Sequence, residues 1–176
     1  MATNLKALNH IYYGLGKGKT TAALGLILRA TGCGVPCVLL QFLKDSKCGE
    51  LESLEKLGVA VFRGKAPKAM FSRDMTPEQL EETRAIHNRN LADAIECSSD
   101  GGLLVLDELL DAVALELVDE NAVRGLLENK PENLELVITG HTEIAWIFEK
   151  ADYITEMKKH RHPYDSGIMG RRGIEF

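Results

Sequence analysis

Several groups of residues in this sequence have the types and spacing for phosphate and metal chemistry. The first is Gly14-Leu15-Gly16-Lys17-Gly18-Lys19-Thr20-Thr21. It follows the apolar run Ile11-Tyr12-Tyr13 and opens the helix-like run Ala22-Ala23-Leu24-Gly25-Leu26-Ile27-Leu28. A strand, a glycine-rich turn and a helix start in that order form the cradle of a P-loop. Glycines let successive backbone N–H groups curl inward around phosphate oxygens. The helix start adds the positive end of its dipole. Lys19 is expected to reach the phosphates, and the Thr20 hydroxyl to bind Mg²⁺. The general pattern has Gly where Tyr13 stands, so the strict match fails at one position. The bland alternative is a surface turn rich in Gly and Lys.

The second group closes the apolar run Leu103-Leu104-Val105-Leu106 with the carboxylates Asp107-Glu108. In a parallel sheet the C-terminal end of this strand lies on the same edge as the glycine loop. Asp107 is then placed to hold Mg²⁺ directly or through water. Glu108 is placed as a metal ligand or as a base for water. Both acids could instead simply favour the start of a following helix. Thr139-Gly140-His141-Thr142 ends another strand-like run on that edge. There His141 either touches a phosphate or ribose or is an ordinary helix-start histidine. From these residues alone three classes stay open: a nucleotide-dependent transferase, an ATPase or phosphotransferase with Glu108 as base, and a nucleotide-switched binding module.

These residues need a scaffold, and the chain has the length and pattern for one. Its 176 residues fit a single domain, residues 1–176, with a proper core. A hydrophobic share of 45% with 27% charged residues reads as a globular protein. The net charge of −5 argues against nucleic acid as the main partner. Basic residues gather at the end, where Lys150, Lys158, Lys159, Arg161, Arg171 and Arg172 form either a solvated tail or a face toward an anionic ligand. Cys33, Cys37, Cys48 and Cys97 have neither zinc nor C-x-x-C spacing and read as reduced thiols of a cytoplasmic protein. No signal-peptide pattern or membrane span is expected.

Strand-like and helix-like segments alternate. Strands are expected at 8–13, 38–43, 59–62, 103–106, 134–140 and 153–157. Helices are expected at 19–31, 49–57, 76–97, 119–129 and 142–150. Thr76-Pro77-Glu78-Gln79 is a capping box with Pro at the first helical position, and Asp119 and Thr142 are expected caps. Residues 63–75 have no period and carry Met70 and Phe71 in a basic loop. The alternation implies an α/β fold, a mostly parallel sheet with helices on both faces.

Taken in order, the segments resemble ATP:corrinoid adenosyltransferases of the P-loop type, which act on cob(I)alamin or cob(I)yrinic acid a,c-diamide. Gly14 to Ala23 is similar to that family's G-x-G-K-G-K-T-T-A-A, which also lacks the first Gly. Val38 to Lys44 resembles the family's strand ending in Q-F-x-K, with Gln41-Phe42 and Lys44 in place, and Leu106-Asp107-Glu108-Leu109 matches L-D-E-L. Val137-Ile138-Thr139-Gly140, His162-Pro163-Tyr164-Asp165-Ser166-Gly167 and Gly173-Ile174-Glu175-Phe176 complete the set, which spans nearly the whole chain.

The resemblance implies a P-loop NTPase architecture of the RecA-like kind. It also implies transfer of the 5′-deoxyadenosyl group of ATP to cobalt(I) of a corrinoid, with release of triphosphate. On the matching positions, Gly14, Gly16, Lys17, Gly18, Lys19, Thr20 and Thr21 bind the nucleotide. Thr20 and Glu108, with Asp107 close by, bind Mg²⁺ or Mn²⁺. Met70 and Phe71 are the candidates to displace the lower axial ligand of cobalt. Relatives place a Trp in that region, and the one Trp here is Trp146. They commonly have Arg in place of His141. A flavoprotein reductant and a homodimer are further expectations of the resemblance.

Overall fold

Side chains on successive strand residues point to opposite faces, so a sheet buried on both faces needs apolar residues at every position. The computed structural model shows this pattern; it describes residues 6–45, 48–65 and 74–175. The described elements run β1 (Asn9–Tyr13), α1 (Lys19–Gly32), β2 (Cys37–Gln41), α2 (Gly49–Lys56), β3 (Ala60–Arg63), α3 (Pro77–Cys97), β4 (Gly102–Asp107), α4 (Leu109–Ala114), α5 (Glu120–Asn129), β5 (Leu134–Gly140), α6 (Ala145–Phe148) and β6 (Tyr153–Glu156). A 3-10 turn follows at Pro163–Ser166.

The strands lie in the order β3-β2-β4-β5-β1-β6, and every pairing is parallel. Leu39, Val105 and Val137 face one way and pack with Ala23 and Ile27 of α1 and Leu54 of α2. Their neighbours Leu40, Leu106 and Ile138 face the other way and pack with Leu91 of α3 and Val123, Leu126 and Leu127 of α5. The expected α/β architecture, helices on both faces of a parallel sheet, is therefore the one observed.

Register brings the strand ends level. Gln41 stands opposite both Arg63 and Asp107, and Tyr13 stands opposite Gly140 and Glu156. The strand bearing Asp107 is not adjacent to the strand leading into the glycine loop, because β5 runs between them. All the chemistry-bearing strand ends share one edge.

Local signals explain most boundaries. α3 starts where Thr76 Oγ1 accepts from Gln79 N and Gln79 Oε1 accepts from Thr76 N, with Pro77 at the first turn. Asp119 caps α5 by accepting from Asn121 N at 2.9 Å. Other boundaries depart from the sequence expectation. β2 stops at Gln41, because Leu43 takes a left-handed φ of 59°. Thr142 caps nothing: α6 is a single turn with extended Ile144 at its N-cap. The chain leaves β5 through a turn fixed by Asp111, which accepts from the His141 N–H, and Ile144 packs on the core before the helix starts. α4, absent from the helices expected by periodicity, is the helix start that the alternative reading of Asp107-Glu108 offered; its apolar residues follow so closely on those of β4 that periodicity cannot divide the two. Met70 and Phe71 lie outside the described residues.

Candidate active site

The glycine loop is shaped by backbone constraints that side chains would break. Gly14 and Gly18 have φ of 103° and 115°, a region that L side chains avoid. A Cβ on Gly14 would stand 2.7 Å from Met157 O, and one on Gly16 2.6 Å from the same oxygen. The loop is thus closely seated on the end of β6. Gly16 N donates to Met157 O, and Met157 N donates to Tyr13 O at 2.7 Å. α1 then opens on Gly18 without a side-chain cap, which leaves its first-turn amides to face a ligand.

Lys19 is buried, and its Nζ donates to Gly14 O at 2.7 Å and Gly16 O at 3.0 Å. The ammonium therefore braces the loop from inside. Burial lowers its pKa, partly offset by the carboxylates of Asp111, Glu108 and Asp107.

Asp107, at the end of β4, is the hub of the site and is fully buried. Its Oδ1 accepts from Thr20 Oγ1 and Thr139 Oγ1, each at 2.8 Å. Its Oδ2 accepts from Lys44 Nζ at 2.7 Å and from Gln41 Nε2 at 3.2 Å. A carboxylate has about four lone-pair sites, so these donors use its capacity. The arrangement holds a charge that burial would otherwise make costly. Thr139 Oγ1 also accepts from Glu108 N at 2.9 Å, where Glu108 takes a left-handed φ of 63°. That turn directs the chain from β4 straight into α4.

Lys44 joins the two acids. Its Nζ lies 2.7 Å from Asp107, 3.4 Å from Glu108 Oε1 and 3.3 Å from Thr20 Oγ1. Burial pulls its pKa down, but the two carboxylates outweigh this and raise it. Burial raises the pKa of Glu108, against the lowering effect of Lys44. His141 donates its backbone N–H to Asp111 Oδ2 at 3.0 Å, and its Nδ1 lies 3.1 Å from the same oxygen. That side-chain hydrogen bond raises the His141 pKa against the effect of burial.

The oxygens of Thr20, Asp107 and Glu108 form a hard donor set of the type Mg²⁺ or Mn²⁺ takes together with phosphate oxygens. An ammonium already stands among them, which shows that the spot is electrostatically suited to a cation. A cleft of about 350 Å³ opens beside it, lined by Thr20, Thr21, Lys44, Gly49, Glu50 and the tail at Ile174. Lys17 is exposed on the loop.

The structure brings together the expected residues Gly14 to Thr21, Asp107 and Glu108. It places His141 at their margin, joined through Asp111. Gln41, Lys44, Thr139, Asp111 and Met157 were given no role from the sequence. The signal for Gln41 was available: an amide inside a run of buried apolar residues needs a polar partner. Met157 acts through its backbone, which no side-chain pattern can signal.

Comparison with known proteins agrees with this geometry. The family model of ATP:corrinoid adenosyltransferase BtuR/CobO/CobP matches residues 6–176. A corrinoid adenosyltransferase of Sinorhizobium sp is 33% identical over 99% of this chain and 82% of its own length. One from Escherichia coli (strain K12) is 32% identical over 94% of this chain and 84% of its own. Corrinoid adenosyltransferase CobA of Salmonella typhimurium is 31% identical with the same coverage. A glycine loop braced by Lys19, a buried Asp107 holding Thr20, and a family match across the whole described chain lead to one assignment: the chain belongs to the ATP:corrinoid adenosyltransferase family.

Proposed function

We propose that the chain transfers the 5′-deoxyadenosyl group of ATP to cobalt(I) of a corrinoid and releases triphosphate. The electron pair of cobalt(I) forms the new bond to C5′. The C5′–O bond breaks, and its pair leaves on the triphosphate. Cobalt is itself the nucleophile, so no protein base is needed for attack. The protein's task is to hold the reactants in line and to stabilise charge that grows on the leaving group.

The observation that carries this reading is the phosphate-facing arrangement of Lys19, Thr20, Asp107 and Glu108 in a chain of this family. The loop from Gly14 to Thr21 binds the triphosphate through the Lys19 ammonium and through its backbone N–H groups other than that of Gly16, which Met157 O holds. Thr20 and Glu108 would hold Mg²⁺ or Mn²⁺, with Asp107 orienting the Thr20 hydroxyl. The metal ion would supply positive charge to the leaving phosphates. Lys44 is close enough to the same oxygens to move onto phosphate when a metal ion takes its place. Met70 and Phe71 remain the proposed residues for the lower face of the corrinoid. His141 is proposed to contact the nucleotide at the margin of the site. One domain, a homodimer, a flavoprotein reductant and a cytoplasmic setting complete the proposal. Among the described residues no helix is long and apolar enough to cross a membrane.

The test is an anaerobic assay with ATP, Mg²⁺ and chemically reduced cob(I)alamin, following the corrinoid spectrum and the phosphate product together. Loss of the cobalt(I) spectrum with one triphosphate per light-sensitive product is expected. ADP and phosphate with no corrinoid change would overturn the proposal in favour of an ATPase with Glu108 as base.

A further inference from the structure

The basic residues at the end of the chain have two readings, a solvated tail or a face toward an anion, and their partners separate them. Lys158 pairs with Glu156 at 3.3 Å and Lys159 with Asp165 at 2.7 Å, and neither carboxylate lines the cleft beside the glycine loop. Arg171 differs. Its partner, Glu175, stands in the wall of that cleft with Thr20, Thr21 and Lys44.

The contact is a fork on a carboxylate. Arg171 Nη2 lies 3.1 Å from Glu175 Oε1, and Arg171 Nε lies 3.2 Å from Oε2. The backbone N–H of Arg171 also donates to Oε2, at 2.8 Å. These bonds hold the Glu175 carboxyl down at about 2, and the charge of Lys17 on the loop works in the same direction. Glu175 thus keeps a full negative charge beside two cations, on a cleft that opens next to a loop built for phosphate.

Two forces oppose each other when a triphosphate enters. The Glu175 carboxylate repels it. The Arg171 fork attracts it, because two parallel N–H groups fit two phosphate oxygens as they fit a carboxylate. One exchange resolves both: Glu175 gives up the fork and phosphate takes it. The exchange costs little, since the Arg171 side chain is 61% exposed and exposed ion pairs contribute little to stability. The turn is also self-contained. Ile174 N and Glu175 N both donate to Arg171 O, and among the described residues the hydrogen bonds of 171–175 stay within that turn. Opening it leaves the sheet and the glycine loop intact.

We propose that Arg171 is a further phosphate-binding residue and that Glu175 holds it in reserve. The triphosphate of ATP takes the guanidinium from Glu175, and Glu175 recovers it as triphosphate leaves. The carboxylate is therefore an internal competitor for the anion seat. The inference rests on the reading of the glycine loop as that seat. Glu50 lines the same cleft but bonds the Cys48 thiol, so it is the control for charge alone.

Calorimetric titration of the whole chain with ATP and Mg²⁺, and separately with inorganic triphosphate and Mg²⁺, tests this without a corrinoid. Arg171→Gln is expected to raise both Kd values by about tenfold, the scale of a lost charged hydrogen-bond pair. Glu175→Gln is expected to lower both by about threefold, and Glu50→Gln to change them by less than about twofold, within the range of exposed ion pairs. In the double variant the gain from Glu175→Gln is expected to vanish, because the two residues act through one exchange. Kd values left unchanged by Arg171→Gln or not lowered by Glu175→Gln overturn the proposal, as does a gain that survives without Arg171. An equal gain from Glu50→Gln also overturns it, by reducing the effect to the net charge of the cleft. So does an Arg171→Gln loss seen with ATP but not with inorganic triphosphate, which would assign the guanidinium to the nucleoside. Binding of neither ligand by the wild-type chain would overturn the triphosphate seat itself, so the two failures are distinguishable.

Discussion

Thr20 donates its hydroxyl hydrogen to Asp107 Oδ1 at 2.8 Å, so the side chain placed to meet a metal ion is aimed by a buried acid on another strand. With its hydrogen committed, the hydroxyl turns its lone pairs toward the cleft. Asp107→Asn would replace one acceptor oxygen by a donor and set it against Thr20, Thr139, Gln41 or Lys44. We expect kcat/KM for ATP to fall by about a hundredfold or more, in line with losing two charge-assisted hydrogen bonds. Thr20→Ser should retain most activity and Thr20→Val little. Steady-state kinetics, with a thermal melt to check folding, measure this.

Lys44 occupies the space among the metal-type oxygens with its ammonium 2.7 Å from Asp107 and 3.4 Å from Glu108. An ammonium there competes with a divalent cation when no nucleotide is present. Lys44→Met should therefore strengthen Mn²⁺ binding to the nucleotide-free chain by about tenfold, an effect of one unit charge removed at this range. The same variant should lower kcat, because the phosphates lose a cation. Mn²⁺ titration by electron paramagnetic resonance and turnover in the same preparation check both halves.

Lys19 braces Gly14 and Gly16 from within the loop and faces the phosphates on binding. Lys19→Ala is expected to reduce adenosyl transfer by at least about a hundredfold, the scale of a lost leaving-group contact. Full activity in this variant, measured by the corrinoid spectrum, would remove Lys19 from the mechanism.

His87 sets an acid limit on stability. It is fully buried on α3, with Nδ1 3.0 Å from Leu117 O and Nε2 accepting from Leu43 N at 3.2 Å. Burial lowers its pKa from 6.5 to about 4. The unfolded chain thus binds the proton more readily. The stabilisation is complete above pH 6.5 and is lost as pH falls through the window toward 4, by up to roughly 3 kcal/mol. Urea unfolding at pH 7 and pH 5 should show this loss, and His87→Gln should show less of it.

The glycine loop, the Asp107-Glu108 pair and the parallel sheet were legible because each rests on local rules: glycine freedom, strand length and a shared strand edge. Lys44 was not, because its place depends on the left-handed turn at Leu43, which His87 secures from a distant helix. Thr139 was read only as part of a strand end, since its partners lie on other elements. The start of α6 was misread for a related reason: Thr142 is a good cap by type, yet Asp111 had already fixed the turn before it. Contacts between elements, rather than residue type, decided these positions.

The phosphate loop rests on an edge strand. β6 pairs with β1 alone, and its four residues are all exposed. Its continuation at Met157 nonetheless takes the Gly16 N–H and leaves no room for a Cβ at Gly14 or Gly16. Fraying at this margin would release the floor beneath the nucleotide. By linkage, a nucleotide that binds only the seated loop restrains the fraying to the same extent. The edge strand β6 is thus a thermodynamic partner of the triphosphate, and its amide hydrogens should exchange more slowly whenever ATP is bound.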